Sequence, residues 1–266
     1  MVQSMMKTLR TEPTVQSFNA CGVRIDAYQI ETMIQQVLEW TTQASGRSVH
    51  LCNANTLTLA LHDDTLRGLL NSADANLCDG MPLVWIARRL GLSHMRERVY
   101  GPDLMIATID HGRAAGLRHY LYGSTPEVIA LLETNLRQRF PGVELVGVES
   151  GPFRALTEVE EQELSLRIAD SRADVVWVGL GTPRQDLFAD RFRGLVPATF
   201  IAVGAAFDFH SGNKRQAPRV IQRFGLEWLF RLVTEPRRLW KRYLVGNGRF
   251  VWALVRRRPR LTSPTV

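Results

Sequence analysis

Short apolar runs alternate with longer stretches of helical periodicity through most of this 266-residue chain. The apolar runs predict buried strands, which lie at 18–25, 48–53, 75–78, 118–123, 143–148, 174–178 and 198–203. Between them, apolar residues recur three or four positions apart and predict helices, at 27–44, 82–90, 126–140 and 157–171 and in shorter stretches after residues 53 and 185. This alternation predicts an α/β fold with a mostly parallel sheet and helices on both faces.

The last quarter of the chain breaks this rhythm. No strand pattern follows residue 213, and helical periodicity is interrupted by Pro218, Gly225, Pro236 and 246–248. Between 213 and 260 there are 14 Lys and Arg residues and two acidic residues, whereas the rest of the chain has 19 basic and 24 acidic residues. We therefore expect a flexible tail at 1–17, a Rossmann-like domain at 18–212 and a basic, amphipathic helical appendage at 213–266.

The appendage separates its charged and apolar side chains. Placed on one helix, Arg238, Arg242, Arg249 and Arg256 fall within about 40° of one another, opposite a face rich in Trp, Phe and Leu. This pattern is typical of a helix that lies in a membrane interface, although the apolar face could equally pack on the rest of the protein. Three cysteines, an odd number without metal-binding spacing, predict reduced and mostly buried thiols, as in a cytosolic protein.

Polar or glycine-rich clusters follow nearly every predicted strand. In an open parallel sheet, ligands bind beyond the carboxyl ends of the strands, where glycines let backbone amides approach phosphate oxygens. Several such clusters together favour a nucleotide or sugar-phosphate site. Asp79 is the sharpest catalytic candidate, since it ends an apolar strand and precedes a glycine. From position alone, it could serve as a general base in the crevice or cap the helix that follows.

The sequence lacks the motifs of several enzyme classes. The sequence Gly179-Leu180-Gly181 has Arg184 where a dinucleotide-binding fingerprint needs its third glycine, and there is no Walker A loop or G-x-S-x-G elbow. No D-x-D pair is present to hold a metal ion on a diphosphate. A sugar-nucleotide enzyme of this sequence would therefore use neither a metal nor another cofactor.

Seven segments carry a family resemblance: CNAN, LCDGMPLVW, RVYGPDLM, YLYGSTPEV, VGLGTPRQD, AVGAAFDFHSG and QAPRVIQRFGLEWLFRLVTEPRRLWKRY. Together they resemble the WecG/TagA/CpsF family, glycosyltransferase family 26, over residues 21–243. The resemblance implies an inverting, metal-independent enzyme that moves a sugar from a UDP-sugar to a sugar on undecaprenyl diphosphate. The donor would be of the UDP-ManNAc, UDP-ManNAcA or UDP-glucose type, in cell-surface polysaccharide synthesis. The enzyme would be peripheral, on the inner face of the cytoplasmic membrane, and self-association in solution is compatible with the family.

The resemblance also implies roles for individual residues. It makes Asp79 the general base. The substrate- or nucleotide-binding residues would be Asn53, Asn55, Arg98, Gly123, Ser124, Gly179, Gly181, Gln185 and Asp208. At the C-terminal end, the resemblance implies roles for Arg231, Arg238 and Lys241. Because arginines can neutralise a lipid diphosphate with paired hydrogen bonds, we also expect Arg237 and Arg242 to bind it.

A non-enzymatic alternative also fits the basic C-terminal segment. The protein could be a basic peripheral membrane or nucleic-acid-binding protein whose Rossmann-like body is a scaffold. A binder of polyanions needs none of the polar clusters at the strand ends, however, so we expect a lipid-diphosphate partner at an anionic membrane surface and no nucleic acid.

Overall fold

A computed structural model describes residues 15–262, except for the side chains of Arg238 and Arg242. The strands are β1 (Ser17–Ala20), β2 (Val23–Asp26), β3 (Arg47–Cys52), β4 (Ala75–Cys78), β5 (Arg118–Gly123), β6 (Glu144–Glu149), β7 (Val175–Gly179), β8 (Thr199–Ala202) and β9 (Arg260–Thr262). The predicted tail at 1–17 lies mostly outside the described residues, and the sheet begins at Ser17, one residue before the expected domain boundary.

Thirteen α-helical segments are present in the described part of the chain. They are α1 (Ile30–Trp40), α2 (Ala54–Ala60), α3 (Asp64–Ser72), α4 (Met81–Arg89), α5 (Gly101–Gly112), α6 (Pro126–Arg139), α7 (Glu158–Asp170), α8 (Arg184–Arg193), α9 (Ala206–His210), α10 (Arg219–Arg223), α11 (Glu227–Thr234), α12 (Pro236–Trp240) and α13 (Gly246–Arg256). A π-helical segment, Lys241–Val245, joins α12 to α13.

The nine strands form one mostly parallel sheet in the order β6-β5-β7-β8-β3-β4-β2-β1-β9. The strands from β6 to β2 are parallel, and β1 is antiparallel to both β2 and β9. Apolar side chains on one face pack against α1, α5 and α6, and those on the other face pack in two groups, against α2–α4 with α13 and against α7–α8. The α/β fold, with a Rossmann-like, mostly parallel sheet between two helical layers, is therefore confirmed.

Two expectations for the C-terminal segment were wrong. A strand, β9, is present at 260–262 and pairs with β1, where Phe18 opposes Leu261. The glycines at 246–248 do not interrupt the helix, because α13 begins at Gly246 and its Phe250 and Ala253 are buried against the core beside α2. The Thr58 hydroxyl also donates a hydrogen bond to the Gly246 carbonyl at 3.2 Å. Packing against α2 thus outweighs the weak helix propensity of glycine.

The interior contains the three predicted thiols. Cys21, Cys52 and Cys78 are buried, and none of them forms a disulfide bond. Between residues 15 and 262, no helix is both long and apolar enough to cross a bilayer.

Candidate active site

A cleft of about 1030 Å³ opens at the carboxyl ends of β3, β4, β7 and β8. Polar residues that follow these strands line its inner part, and helices of the C-terminal segment cover one side. In open α/β sheets the carboxyl edge is where loops and helix N-termini converge and ligands bind. The cleft is therefore the candidate active site, and its walls come from both the sheet domain and the appendage.

Asp79 lies in this cleft immediately after β4. Its Oδ2 accepts a hydrogen bond from Asn53 Nδ2 at 3.1 Å, and its buried Oδ1 has no hydrogen-bond partner among the described residues. The N-cap of α4 is Gly80, and no side chain caps that helix. The capping alternative for Asp79 is therefore not observed, and its side chain lines the cleft.

Burial, reinforced by the Glu227 charge, raises the pKa of Asp79 to about 6, although the nearby Arg98 charge, the Asn53 hydrogen bond and the Gly101 backbone N–H oppose that rise. A carboxyl group with such a pKa is ionised at neutral pH, yet it is a stronger base than an exposed aspartate. These are the properties that a general base requires, because base strength and the ionised fraction must both be adequate at the working pH.

Both polar atoms of the Asn53 side chain already have hydrogen-bond partners within the protein. Its Oδ1 accepts the backbone N–H groups of Asn55 and Thr56 at the start of α2, and its Nδ2 donates to Asp79. Asn53 is thus the N-cap of α2, and it also orients Asp79. Asn55, the second residue of α2, also lines the cleft.

A buried ion network joins the sheet domain to the appendage at the same site. Glu227, at the start of α11, accepts hydrogen bonds from Arg98 at 2.5 Å and from the Tyr100 hydroxyl at 3.1 Å. Arg231 lies one turn later, with its Nη1 3.9 Å from Glu227 Oε1. Burial opposes the charge of Arg98, but the Glu227 carboxylate more than offsets this and raises the pKa of the guanidinium. One acidic side chain therefore holds two arginines at the cleft.

The loop after β7 forms the opposite side of the cleft. Gln185, buried at the start of α8, accepts the backbone N–H of Gly181 at 3.0 Å and donates to the Ala202 carbonyl at 3.1 Å. Both Gly179 and Gly181 line the cleft, as does Ser124 after β5. The Gln185 amide therefore ties the loop that follows β7 to the last residue of β8.

Asp208 reaches the cleft from α9 together with a cation that sequence reasoning missed. Lys214 Nζ lies 3.1 Å from Asp208 Oδ2 and 4.0 Å from a Glu235 oxygen. Lys214 also lines the cleft. It belongs to the same basic segment as the other predicted cations, but only the folded chain shows that it faces inward.

Three of the predicted site residues lie outside the cleft. Gly123 does not line the cleft but packs against Gly179, which does; a Cβ on Gly123 would approach the Gly179 backbone to 2.7 Å. Arg237 and Lys241 are exposed, and Lys241 Nζ is 5.5 Å from the ring centre of Trp240. The predicted positions of the Arg238 and Arg242 side chains fall outside the described part of the structure. Of the five predicted lipid-diphosphate residues, Arg231 is the one whose described side chain lines the cleft.

Two comparisons with known proteins show the family of this chain. The model of the glycosyl transferase WecG/TagA/CpsF family matches residues 18–264. A curated protein of Bacillus spizizenii strain W23 is 34% identical over 203 residues, which is 76% of this chain and 76% of that protein. It is named N-acetylglucosaminyldiphosphoundecaprenol N-acetyl-beta-D-mannosaminyltransferase. The chain therefore belongs to the WecG/TagA/CpsF family and is a glycosyltransferase.

Proposed function

We propose that this enzyme transfers a sugar from a UDP-sugar to a sugar carried on undecaprenyl diphosphate, with inversion at the anomeric carbon. The observation that carries the proposal is the Asp79 carboxylate, held by Asn53 in a cleft that two arginines also line. Among the donors expected from the sequence, the name of the Bacillus relative favours UDP-N-acetylmannosamine, and it favours an N-acetylglucosamine diphosphate lipid as acceptor.

In the proposed reaction, the Asp79 carboxylate takes the proton of the acceptor hydroxyl. The oxygen of that acceptor hydroxyl forms a bond to the anomeric carbon of the donor as the bond from this carbon to the UDP oxygen breaks. The proton remains on Asp79, and the electron pair leaves with UDP. Asn53 holds Asp79 in place through its hydrogen bond to Oδ2.

The UDP group would lie along the Gly179–Gln185 loop. Backbone N–H groups of such loops stabilise phosphate oxygens, and Gln185 keeps this loop in one conformation. Of the acidic side chains lining the cleft, Asp208 is paired with Lys214 and Glu227 with Arg98. We therefore propose that amides and cations stabilise the departing UDP, and we expect transfer to persist in excess EDTA.

The acceptor diphosphate would lie against Arg231 and, on its other side, Arg98. Arginine suits this task, because its planar guanidinium donates paired hydrogen bonds to phosphate oxygens. Since Arg237 and Lys241 point away from the cleft, we assign them to lipid head groups at the membrane surface. Of the basic residues expected at the lipid diphosphate, we therefore keep Arg231 in that role among those with described side chains.

The outer face of the appendage is suited to an anionic membrane. Several large apolar side chains of the appendage are exposed, among them Val233, Trp240, Leu244 and Trp252. Cations flank both tryptophans, with Arg256 4.5 Å from the Trp252 ring centre. Aromatic and basic side chains in this combination bind interfaces between lipid and water. We propose that the protein is peripheral and rests by this face on the inner surface of the cytoplasmic membrane.

Two experiments test these proposals. A panel of UDP-sugars with a synthetic N-acetylglucosamine diphosphate lipid, read by mass spectrometry, should give one product heavier by N-acetylmannosamine. Hydrolysis of every donor with no transferred sugar would contradict the proposal. For membrane binding, Trp240→Ser with Trp252→Ser should weaken sedimentation with anionic vesicles at least about tenfold. The control is Leu131→Ser, which removes an exposed apolar side chain from α6, and equal losses in both proteins would contradict the assignment.

A further inference from the structure

The outer part of the cleft is apolar, in contrast to the part around Asp79. It lies between α4 of the sheet domain and the C-terminal helices α11, α12 and α13 with the π-helical segment, and we call it the apolar gallery. Its residues are Met81, Trp85, Ile86, Trp228, Leu239, Tyr243, Phe250, Val251 and Leu254. Leu239 and Phe250 are buried and form its floor, whereas Trp85 and Val251 are more than half exposed at its rim.

The gallery is continuous with the proposed catalytic site. Helix α4 begins two residues after Asp79, so its first residue, Met81, lies beside the general base. From the other side, Gly225 closes on α4, and a Cβ at this position would come within 3.0 Å of Met81 and 3.2 Å of Trp85. Glu227 and Arg231 follow in the next helix. A single ligand can therefore have its charged group at Arg231 and an apolar portion along α4.

We infer that the apolar gallery binds the first one or two isoprene units of the polyprenyl acceptor. This inference rests on the acceptor given under the proposed function. The lipid would then be recognised by its chain inside the cleft, in addition to its diphosphate. At about 1.5 Å of rise per residue, α4 extends about 12 Å from its first to its last residue, which is enough for short prenyl groups. Beyond the rim, the rest of the chain would continue into the bilayer on which the appendage rests.

The arrangement of charge favours this occupant over others. Arg98 and Arg231 lie at the inner end of the gallery near Asp79, and Arg89, the exposed last residue of α4, lines its outer end. The lining side chains from α12 and α13 between these ends are uncharged. A prenyl diphosphate fits this arrangement, because its anionic end would meet the inner arginines, its apolar chain would lie along the uncharged middle, and Arg89 would lie where the chain enters the anionic bilayer. A peptide or a second copy of this chain would bring backbone polar groups into the gallery, where few lining groups could pair with them.

The test uses soluble acceptors in the absence of membranes and detergent. Methyl, prenyl and geranyl esters of N-acetylglucosamine diphosphate share the same head group and differ only in the apolar part. Their dissociation constants are measured calorimetrically with the full-length protein, so that the result does not depend on the donor. Each buried CH₂ strengthens binding by up to about fourfold, and we expect at least about a tenfold gain for each five-carbon unit.

Two valines on α13 provide matched variants. Val251 and Val255 are both exposed, one turn apart, but Val251 lines the cleft and Val255 does not. Because both side chains are exposed, Val251→Asn and Val255→Asn should both fold, which thermal unfolding checks. We expect Val251→Asn to reduce the gain from chain length at least about threefold and Val255→Asn to leave it unchanged.

The outcomes separate this inference from the proposed function. Equal affinities for all three esters would overturn the gallery and leave the proposed transfer intact. Equal losses in Val251→Asn and Val255→Asn would place the chain on the outer face of α13 and also overturn it. If no ester binds while UDP does, the proposed acceptor is itself wrong, and the inference is overturned with it.

Discussion

Replacing Asp79 with asparagine should make the protein more stable at neutral pH. The side chain is held in the cleft with one buried, unpartnered oxygen, and burial raises its pKa to about 6 from an ordinary value of 3.8. The ionised form is therefore less favourable in the folded protein than in the unfolded chain. Asparagine has nearly the same shape, can accept the hydrogen bond from Asn53, and carries no charge.

The size of the effect follows from the two pKa values. Their difference, about 2 units at about 1.4 kcal/mol each, corresponds to about 3 kcal/mol. Because the folded pKa is the higher one, the carboxyl group is without cost below about pH 4 and disfavours folding fully above about pH 6. The gain from Asp79→Asn should therefore be near 3 kcal/mol at about pH 8 and should vanish at about pH 4.

Urea unfolding at both pH values measures this difference. A matched control is Asp170→Asn, which removes an exposed carboxylate at the end of α7, outside the cleft. We expect the control to change stability by less than about 0.5 kcal/mol. If Asp79→Asn were less stable than the wild type at neutral pH, the carboxylate would be a structural partner, and the argument from its burial would be refuted.

Four further predictions concern the same cleft. In pH profiles, kcat/KM should fall about tenfold per unit below about pH 6 as Asp79 takes up a proton, and a flat acid limb would exclude it as the base. Gly179→Ala should weaken UDP binding in calorimetry, because its Cβ would lie 2.6 Å from the Phe207 ring; unchanged affinity would show that the loop adapts. Gln185→Ala should weaken UDP binding about tenfold through the loss of two hydrogen bonds to backbone groups, and a calorimetric affinity equal to wild type would count against this. Glu227→Ala should cost about 3–5 kcal/mol in urea unfolding, since it leaves a buried guanidinium without its carboxylate; a loss below about 1 kcal/mol would mean that water replaces the carboxylate.

Local patterns in the sequence were sufficient for most of the sheet. The bounds predicted for β4 and β5 match the structure, because short apolar runs that end in a polar residue or glycine have few other stable arrangements. Helix capping also depends on a few adjacent residues, and Asn53 caps α2 by accepting the N–H groups two and three positions later. The strand ends then located Asp79 and the glycine loop at one edge of the sheet.

Features that depend on distant contacts were not predictable. β9 has three residues and forms only because β1, more than 200 residues earlier, provides an edge on which it pairs. Glu227 is an isolated acidic residue in a basic segment, a pattern more typical of a solvated side chain. Its role depends on Arg98 and Tyr100, which are 129 and 127 positions away. The inward orientation of Lys214 had no local signal either.

The central claim is that Asp79 accepts the proton of the acceptor during sugar transfer. The most direct measurement is single-turnover transfer from the accepted UDP-sugar to the N-acetylglucosamine diphosphate lipid, with wild-type protein and Asp79→Asn. The binding of both substrates is measured in parallel. We predict a rate lower by about 10²–10⁴-fold in the variant with little change in either affinity, because only the proton transfer is lost. A rate within about threefold of wild type would contradict the assignment of Asp79 as the base.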